Sequence, residues 1–236
     1  MPIYDNETYI RVVRPEAENW EKDVFGIPFI EKEELPISTM RNGLFLVNPN
    51  NVSAKDKDKQ RKIVHSFLFD DPLERIYRSP LKFIERISGY YGATSLDFSM
   101  HLQMSEWSII QAVGKSRWFG RFLQSYGLRV YPIVGWVDES TYDICFASLR
   151  DGSTFFISSL GVSNGRCRPL FLKGLYELRR RFPHSRQICI GQRVEGIPDD
   201  VCMIPYEETF GGKNQLAKRN QMRLLNWDGT LSKEAM

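Results

Sequence analysis

No stretch of the 236-residue chain approaches the roughly 18–20 consecutive apolar residues that a membrane-spanning helix requires, which excludes a helical membrane anchor. The opening decapeptide MPIYDNETYI lacks the basic start and apolar run of a secretory signal, so a cytoplasmic protein with no membrane partner is expected. Cysteine is scarce: the four are Cys145, Cys167, Cys189 and Cys202, and no two stand at C-x-x-C spacing. That excludes a zinc ribbon or a thioredoxin-like motif. Three of them sit in apolar surroundings (DICFA, QICIG, DVCMI), where a reduced thiol packs as a small hydrophobe. The three histidines, His65, His101 and His184, are far apart and form no H-E-x-x-H pattern. A G-x-G-x-x-G turn and a G-x-x-x-x-G-K-[ST] loop are both missing, so nothing marks a dinucleotide fold or a P-loop.

Charge of one sign is missing from the body as well. The net charge is +3, and residues 211–236 account for all of it, through Lys213, Lys218, Arg219, Arg223 and Lys233 against Asp228 and Glu234. A neutral body excludes the broad cationic face of strongly basic nucleic-acid proteins, whereas a basic tail would still reach a phosphate backbone. With 42% hydrophobic and 26% charged residues, the chain has an ordinary globular composition.

The chain reads as an irregular N-terminal wrap (residues 1–40), a single α/β domain (41–210) and a basic, flexible tail (211–236). Short apolar runs at 44–47, 63–69, 93–98, 128–134, 154–158, 187–190 and 201–206 read as strands. They do not alternate in polarity, as expected of strands buried on both faces. Helical periodicity lies between them at 73–87, which Pro80 should kink or split, at 105–126 behind a Ser105 N-cap, and at 169–182. In the 105–126 helix, Arg117 and Arg121 stand one turn apart on one face. Repeated strand–helix units imply a mostly parallel sheet. Two arrangements fit: a TIM-like barrel, complete or incomplete, and an open doubly wound sheet, with the barrel preferred.

In either arrangement ligands bind at the carboxyl ends of the strands. Acidic residues follow four of the strands, at Asp70 and Asp71, at Asp97, at Asp138 and Glu139, and at Glu207 and Glu208. Asp71, Asp97 and Asp138 are therefore the candidate catalytic residues, and would hold a divalent metal such as Mg²⁺ or divide acid and base roles. Each has a plain alternative: Asp71 and Asp138 in helix or turn caps, and Asp97 least readily so, because Ser99 or Ser105 is the better cap. Ser99, Arg117, Trp136, Ser159 and Arg193 are the candidate ligand-binding residues. Either arginine would neutralise a nucleotide or phosphate ester through its bidentate fork, Trp136 would wall a ring, and Ser159 with Gly161 and Gly165 would form an anion cradle. His101 is a candidate partner of Asp97.

Several blocks carry a family resemblance: HSFLFDD followed by LERIYRSP (65–80), LDFSM (96–100), KSRWFGRFLQSYGLRVYPIVGW (115–136), STYDICF (140–146), FFISSLGV (155–162) and the Gly211-Gly212-Lys213 opening of the tail. In these the chain resembles domain-of-unknown-function family 4417. The resemblance implies a phage or mobile-element origin and a cytoplasmic site of action, and no established activity. It places Asp71, Asp97, Ser99, Arg117, Trp118, Trp136, Asp143 and Ser159 inside the family's blocks. Two functions follow as expectations: a pocket for an anionic ligand or metal with metal-assisted hydrolysis, or a non-catalytic accessory that binds nucleic acid or protein.

Overall fold

A computed structural model describes residues 6–35, 44–162 and 167–206. Its seven strands are short: β1 (Phe45–Val47), β2 (Lys62–Val64), β3 (Gly92–Thr94), β4 (Val130–Tyr131), β5 (Thr154–Ser158), β6 (Arg186–Ile190) and β7 (Cys202–Ile204). The helices are α1 (Asn6–Val13), α2 (Asp70–Arg78), α3 (Pro80–Ile87), α4 (Glu106–Ser125), the single turn α5 (Tyr142–Cys145) and α6 (Cys167–Arg181). The expected helix over 73–87 is two helices, and Pro80 opens the second, where its missing N–H costs nothing. The expected strand over 63–69 ends at Val64, because His65 to Phe69 turn away to carry the chain into α2.

All pairings between these seven strands are parallel. The strands form a sheet of order β1-β2-β3-β4 and a second of order β5-β6-β7. A parallel bridge between Ile133 and Phe156 joins them, flanked by Val134 N donating to Phe156 O (2.8 Å) and Phe156 N to Pro132 O (2.8 Å). Spatial order therefore follows chain order throughout, with none of the reversal that defines a doubly wound sheet. No ladder joins β7 to β1 among the described residues, so the structure establishes a parallel-stranded α/β fold without a closed barrel.

The buried side chains explain why the strand runs do not alternate. One face of the sheets packs on helices in two clusters, one around Phe119, Leu123 and Val64, the other around Leu175, Leu178 and Phe155. The opposite face supplies a third cluster, which includes Leu46, Ile63, Tyr131, Phe156, Ile188 and Ile204 and contains no helical residue. Both faces are thus withdrawn from water, and each strand needs apolar residues at every position.

The N-terminal segment does more than wrap. Ile10 and Trp20 join the first helical cluster, Ile27 the second, and Leu35 the helix-free one. Residues 20–35 run along the outer side of α4. Gln124 exchanges two hydrogen bonds with the Glu31 backbone, and Ile30 lies against Gly120, where an added Cβ would stand 2.5 Å from its Cδ1. This strap covers α4 at Gly120 and Gln124, while Ser116, Arg117 and Phe119 are buried against Ser95, the carbonyls of Ile133, Cys145 and Ala147, and Phe83.

Candidate functional site

The parallel register brings the ends of β3, β4 and β5 to one side of the molecule. There the chain following them, together with the first turns of α6, encloses a cavity of about 490 Å³. That is within the ~300–1,000 Å³ of small-molecule sites. Phe98, Trp136, Val137, Leu160, Leu170 and Phe171 form much of its apolar wall. Trp136 is held rigidly: its ring stacks on Phe171 at 5.4 Å between centroids, and its Nε1–H donates to Leu170 O at 3.3 Å. Gly174 makes room for it, since a Cβ there would fall 2.1 Å from that nitrogen.

Asp97 is the carboxylate in this wall. It is partly buried, and among the described residues nothing donates a hydrogen bond to it and no cation pairs with it. Burial in apolar surroundings, and then the neighbouring Asp70, push its pKa from 3.8 up to about 7. Asp70 is held in place by Ser99, whose N–H (3.0 Å) and Oγ–H (3.1 Å) both donate to Oδ1. The chain after β2 is thereby tied to the chain after β3, two carboxylates lie near one another, and Ser99 shares the cavity wall with Asp97. A carboxyl that titrates near neutrality can both donate and accept a proton at physiological pH.

The other candidates lie elsewhere. Asp71 is exposed in the first turn of α2, where a carboxylate suits the helix dipole. Asp138 caps the turn 139–141, accepting from Ser140 N (3.1 Å) and Ser140 Oγ (2.7 Å) in a capping box with Thr141. The expected convergence of Asp71, Asp97 and Asp138 on one pocket is therefore not found; Asp97 alone of the three reaches the cavity. Ser159 joins the ends of β5 and β6, with its Oγ–H donating to Gln192 O (2.8 Å) and its N–H to Ile190 O (2.9 Å). Those donors are occupied, so they do not make the expected anion cradle; Gly161 does line the cavity, and Gly165 lies outside the described residues. Arg193 fastens its own loop through Ile197 O (3.2 Å) and Val201 O (3.4 Å).

Arg117 is the largest departure from expectation. It is buried, and its guanidinium donates to three backbone carbonyls: Ile133 O (2.9 Å), Cys145 O (3.0 Å) and Ala147 O (3.2 Å). It joins α4, the chain after β4 and the end of α5, and burial lowers its pKa to about 10. It borders a small cavity of about 20 Å³ that Asp97 also lines, and among the described residues no Lys or Arg lines the large one. Arg121 lies along the N-terminal strap, 5.3 Å from the Trp20 ring centroid, and not beside Arg117 at a site. Glu207, Glu208 and the tail lie outside the described residues.

Among the described residues no group of three or more His, Cys, Asp or Glu side chains could hold a metal ion. His101 and Cys167 line the cavity but complete no such set with Asp97. Of the apolar wall, the sequence singles out Trp136; Phe98, Val137, Leu160, Leu170 and Phe171 carry no polar signal at a strand end, although Phe98 directly follows Asp97. The sequence does not distinguish Asp70 from Asp71; the Ser99 contact across two loops does.

Fold and cavity together define a parallel-stranded α/β protein with one titratable carboxyl in an aromatic-walled cavity at its strand ends. The chain matches the family described as Domain of unknown function (DUF4417) over residues 22–207, and it belongs to that family. It is 32% identical over 141 residues to the Gene 1 protein of Mycobacterium phage D29, an alignment covering 56% of this chain and 52% of that protein. It is 34% identical over 130 residues to the Gene 1 protein of Mycobacterium phage L5, covering 55% of this chain and 57% of that protein. The chain thus spans about half the length of the curated relatives it matches. These relatives associate the chain with phages. No solved structure matches it. No helix among the described residues is long and apolar enough to cross a membrane.

Proposed function

We propose that this protein binds a planar, neutral or cationic small molecule, of the size of a nucleobase or nucleoside, in the strand-end cavity. Asp97 would be its hydrogen-bonding anchor, and the site of action the cytoplasm of an infected or element-bearing cell. The observation that carries this reading is the unpartnered Asp97 carboxyl in an apolar, aromatic wall. Leaving such a group unsatisfied costs stability, and a ligand with adjacent N–H donors would relieve that cost. Near neutrality both forms of Asp97 are populated: ionised, it offers two acceptors to adjacent N–H donors, and protonated, one donor and one acceptor to a mixed edge of a base. Among the described residues the lining holds no Lys or Arg, which favours a ligand without a phosphate. The expected nucleotide partner thereby narrows to its base or nucleoside.

The cavity's position suits a barrel-like coil of the sheet. Helix-free residues of the third cluster, from β1 through β7, are nearly inaccessible to water, and strands that curl toward one another would cover them without helices. Metal-assisted hydrolysis draws on a single observation, the Asp70–Asp97 proximity, which would suit an oxygen-liganded Mg²⁺.

Thermal shift decides among these readings, because a ligand of the native state raises the melting temperature. Free bases and nucleosides should raise it, their monophosphates should do so no better, and Asp97→Asn should weaken the effect of those that donate to both carboxylate oxygens. A response to MgCl₂ or MnCl₂ that Asp97→Asn abolishes would favour hydrolysis. No response to any base or nucleoside would refute the binding proposal.

A further inference from the structure

The small cavity of about 20 Å³ adjoins the large one, and Asp97, Phe98, Met100 and Gly135 belong to the walls of both. Ser116 and Arg117 of α4 complete the polar part of its wall. A cavity must offer about 10–15 Å³ of such space, and two to four polar partners, to hold a water. There is room for one. Whether it has partners is decided by the hydrogens around Ser116.

The hydroxyl oxygens of Ser95 and Ser116 lie 3.0 Å apart, and both residues are buried. Each hydroxyl carries one hydrogen, and only one of the two hydrogens can fill the bond between them. Among the described residues no acceptor receives the other. The neighbours decide which oxygen bears it. Ser95 Oγ already accepts from Ile133 N–H at 2.9 Å, and Ser116 Oγ accepts from Arg117 Nη1–H at 3.4 Å. If Ser116 donated to Ser95, the spare hydrogen would sit on Ser95, a fully buried residue outside the cavity wall, where it would stay unsatisfied. If Ser95 donates to Ser116, the spare hydrogen sits on Ser116, which does line the cavity. The guanidinium beside Ser116 Oγ favours the same direction, because a hydroxyl turns its oxygen toward a cation and its hydrogen away. The chain Ile133 N–H, Ser95 Oγ–H, Ser116 Oγ–H thus runs one way and ends in a donor on the cavity wall. Asp97 stands on that wall as an acceptor to which no described residue donates.

We propose that the small cavity holds one water that accepts from Ser116 Oγ–H and donates to the Asp97 carboxyl, and that Ser116 is thereby the positioning residue for Asp97. A carboxylate has about four lone-pair sites, so a water on its inner side leaves both oxygens able to accept from a ligand on the outer side. The hydrogen-bonded chain is polarised in one direction from the Ile133 amide to Asp97, which strengthens each bond in it. One water is far short of a counter-cation, so Asp97 remains the group that a ligand relieves. The proposal rests on the reading of Asp97 as the anchor of the site only for what the positioning serves.

Two measurements on the full-length protein without ligand test this. A crystal structure of the natural chain, which needs no variant, should place an ordered water within hydrogen-bond distance of both Ser116 Oγ and an Asp97 carboxyl oxygen. A small cavity without that water overturns the proposal. The second measurement is the titration of Asp97 by carboxyl ¹³C NMR, assigned through the signal that Asp97→Asn removes. A hydrogen bond to a carboxylate favours its charged form, so Ser116→Ala should raise the Asp97 midpoint by at least about 0.5, about a threefold gain in proton affinity. Ser95→Ala removes the neighbouring hydroxyl but leaves Ser116 to donate to the water, and should raise the midpoint by less than half as much. Among the described residues the titratable or charged groups around Asp97 are Asp70, then Arg117 and Cys145 on the small cavity and His101 and Cys167 on the large one, and neither variant alters any of them. An unchanged midpoint in Ser116→Ala overturns the proposal, and so does an equal rise in both variants, which would mark a packing effect. Neither measurement uses a base or nucleoside, so failure here leaves the ligand reading standing, and a protein that binds no base can still pass both.

Discussion

Replacing Asp97 by Asn should stabilise the protein, and by an amount that depends on pH in a defined direction. The Asp97 carboxyl has its pKa raised from 3.8 to about 7 in the folded state, first by burial and then by Asp70. The folded protein therefore holds a proton on Asp97 that the unfolded chain releases between about pH 4 and pH 7. Below that window both states are protonated and Asp97 makes no difference. Through it, stability falls as pH rises, and above it the charged carboxylate destabilises the fold by the full difference. A shift of about three units at about 1.4 kcal/mol each amounts to about 4 kcal/mol. Asn carries no charge and has nearly the same shape. Urea unfolding of both proteins at pH 4, 6 and 8 isolates the effect, because other titrating groups cancel in the difference. Asp97→Asn should be within about 0.5 kcal/mol of the natural protein at pH 4 and about 4 kcal/mol more stable at pH 8. A difference that is flat with pH, or that favours the natural protein at pH 8, would refute the account of Asp97 as a partly buried carboxyl without a compensating partner. The predicted sign is that of a residue kept for what it binds and not for the fold.

Three further outcomes follow from the packing. Gly114→Ala in α4 should stabilise by about 1 kcal/mol through helix propensity, since the nearest atom to its added Cβ is Ile27 Cγ1 at 3.9 Å. Gly174→Ala in α6 should destabilise despite the same propensity, because its Cβ would fall 2.1 Å from Trp136 Nε1. Overpacking of this kind costs about 1–3 kcal/mol, and a shifted tryptophan emission should accompany the lower melting temperature. Arg117→Met should destabilise by about 3 kcal/mol or more in chemical denaturation, because three buried carbonyls lose their donor at once. If Arg117→Met were close to neutral, water would have to be satisfying those carbonyls.

Much of the fold is legible in the residue order, and the reasons are local. The strand runs 44–47, 154–158 and 187–190 meet β1, β5 and β6 to within a residue because apolar β-branched and aromatic residues cluster between turn signals. Pro80 marks its helix boundary because a proline without an N–H starts a helix more easily than it continues one. The overlong readings at 63–69, 93–98 and 128–134 have a shared cause. Apolar residues continue past each strand end because they pack inside the molecule, as Phe67, Leu96 and Ile133 do, and hydrophobicity does not distinguish ladder from loop. The candidate site divides in the same way. Asp97 is recognisable as a carboxylate ending an apolar strand with better caps beside it, and Asp71 and Asp138 stand in cap contexts; that Asp97 alone of the three reaches the cavity is decided by where their loops go.

By itself the residue order determined the parallel α/β class, the neutral body with its basic end, and Asp97 as the strand-end acid without a local partner, since each follows from spacing and composition within a few positions. Tertiary structure alone decided that Arg117 binds carbonyls and not a ligand, that the N-terminal strap packs on α4 at Gly120 and Gln124, and that Asp97 shares a cavity with Trp136 and Phe171. Those outcomes depend on contacts between segments far apart in the chain, and the energy of such a contact is set by which surfaces the fold brings face to face.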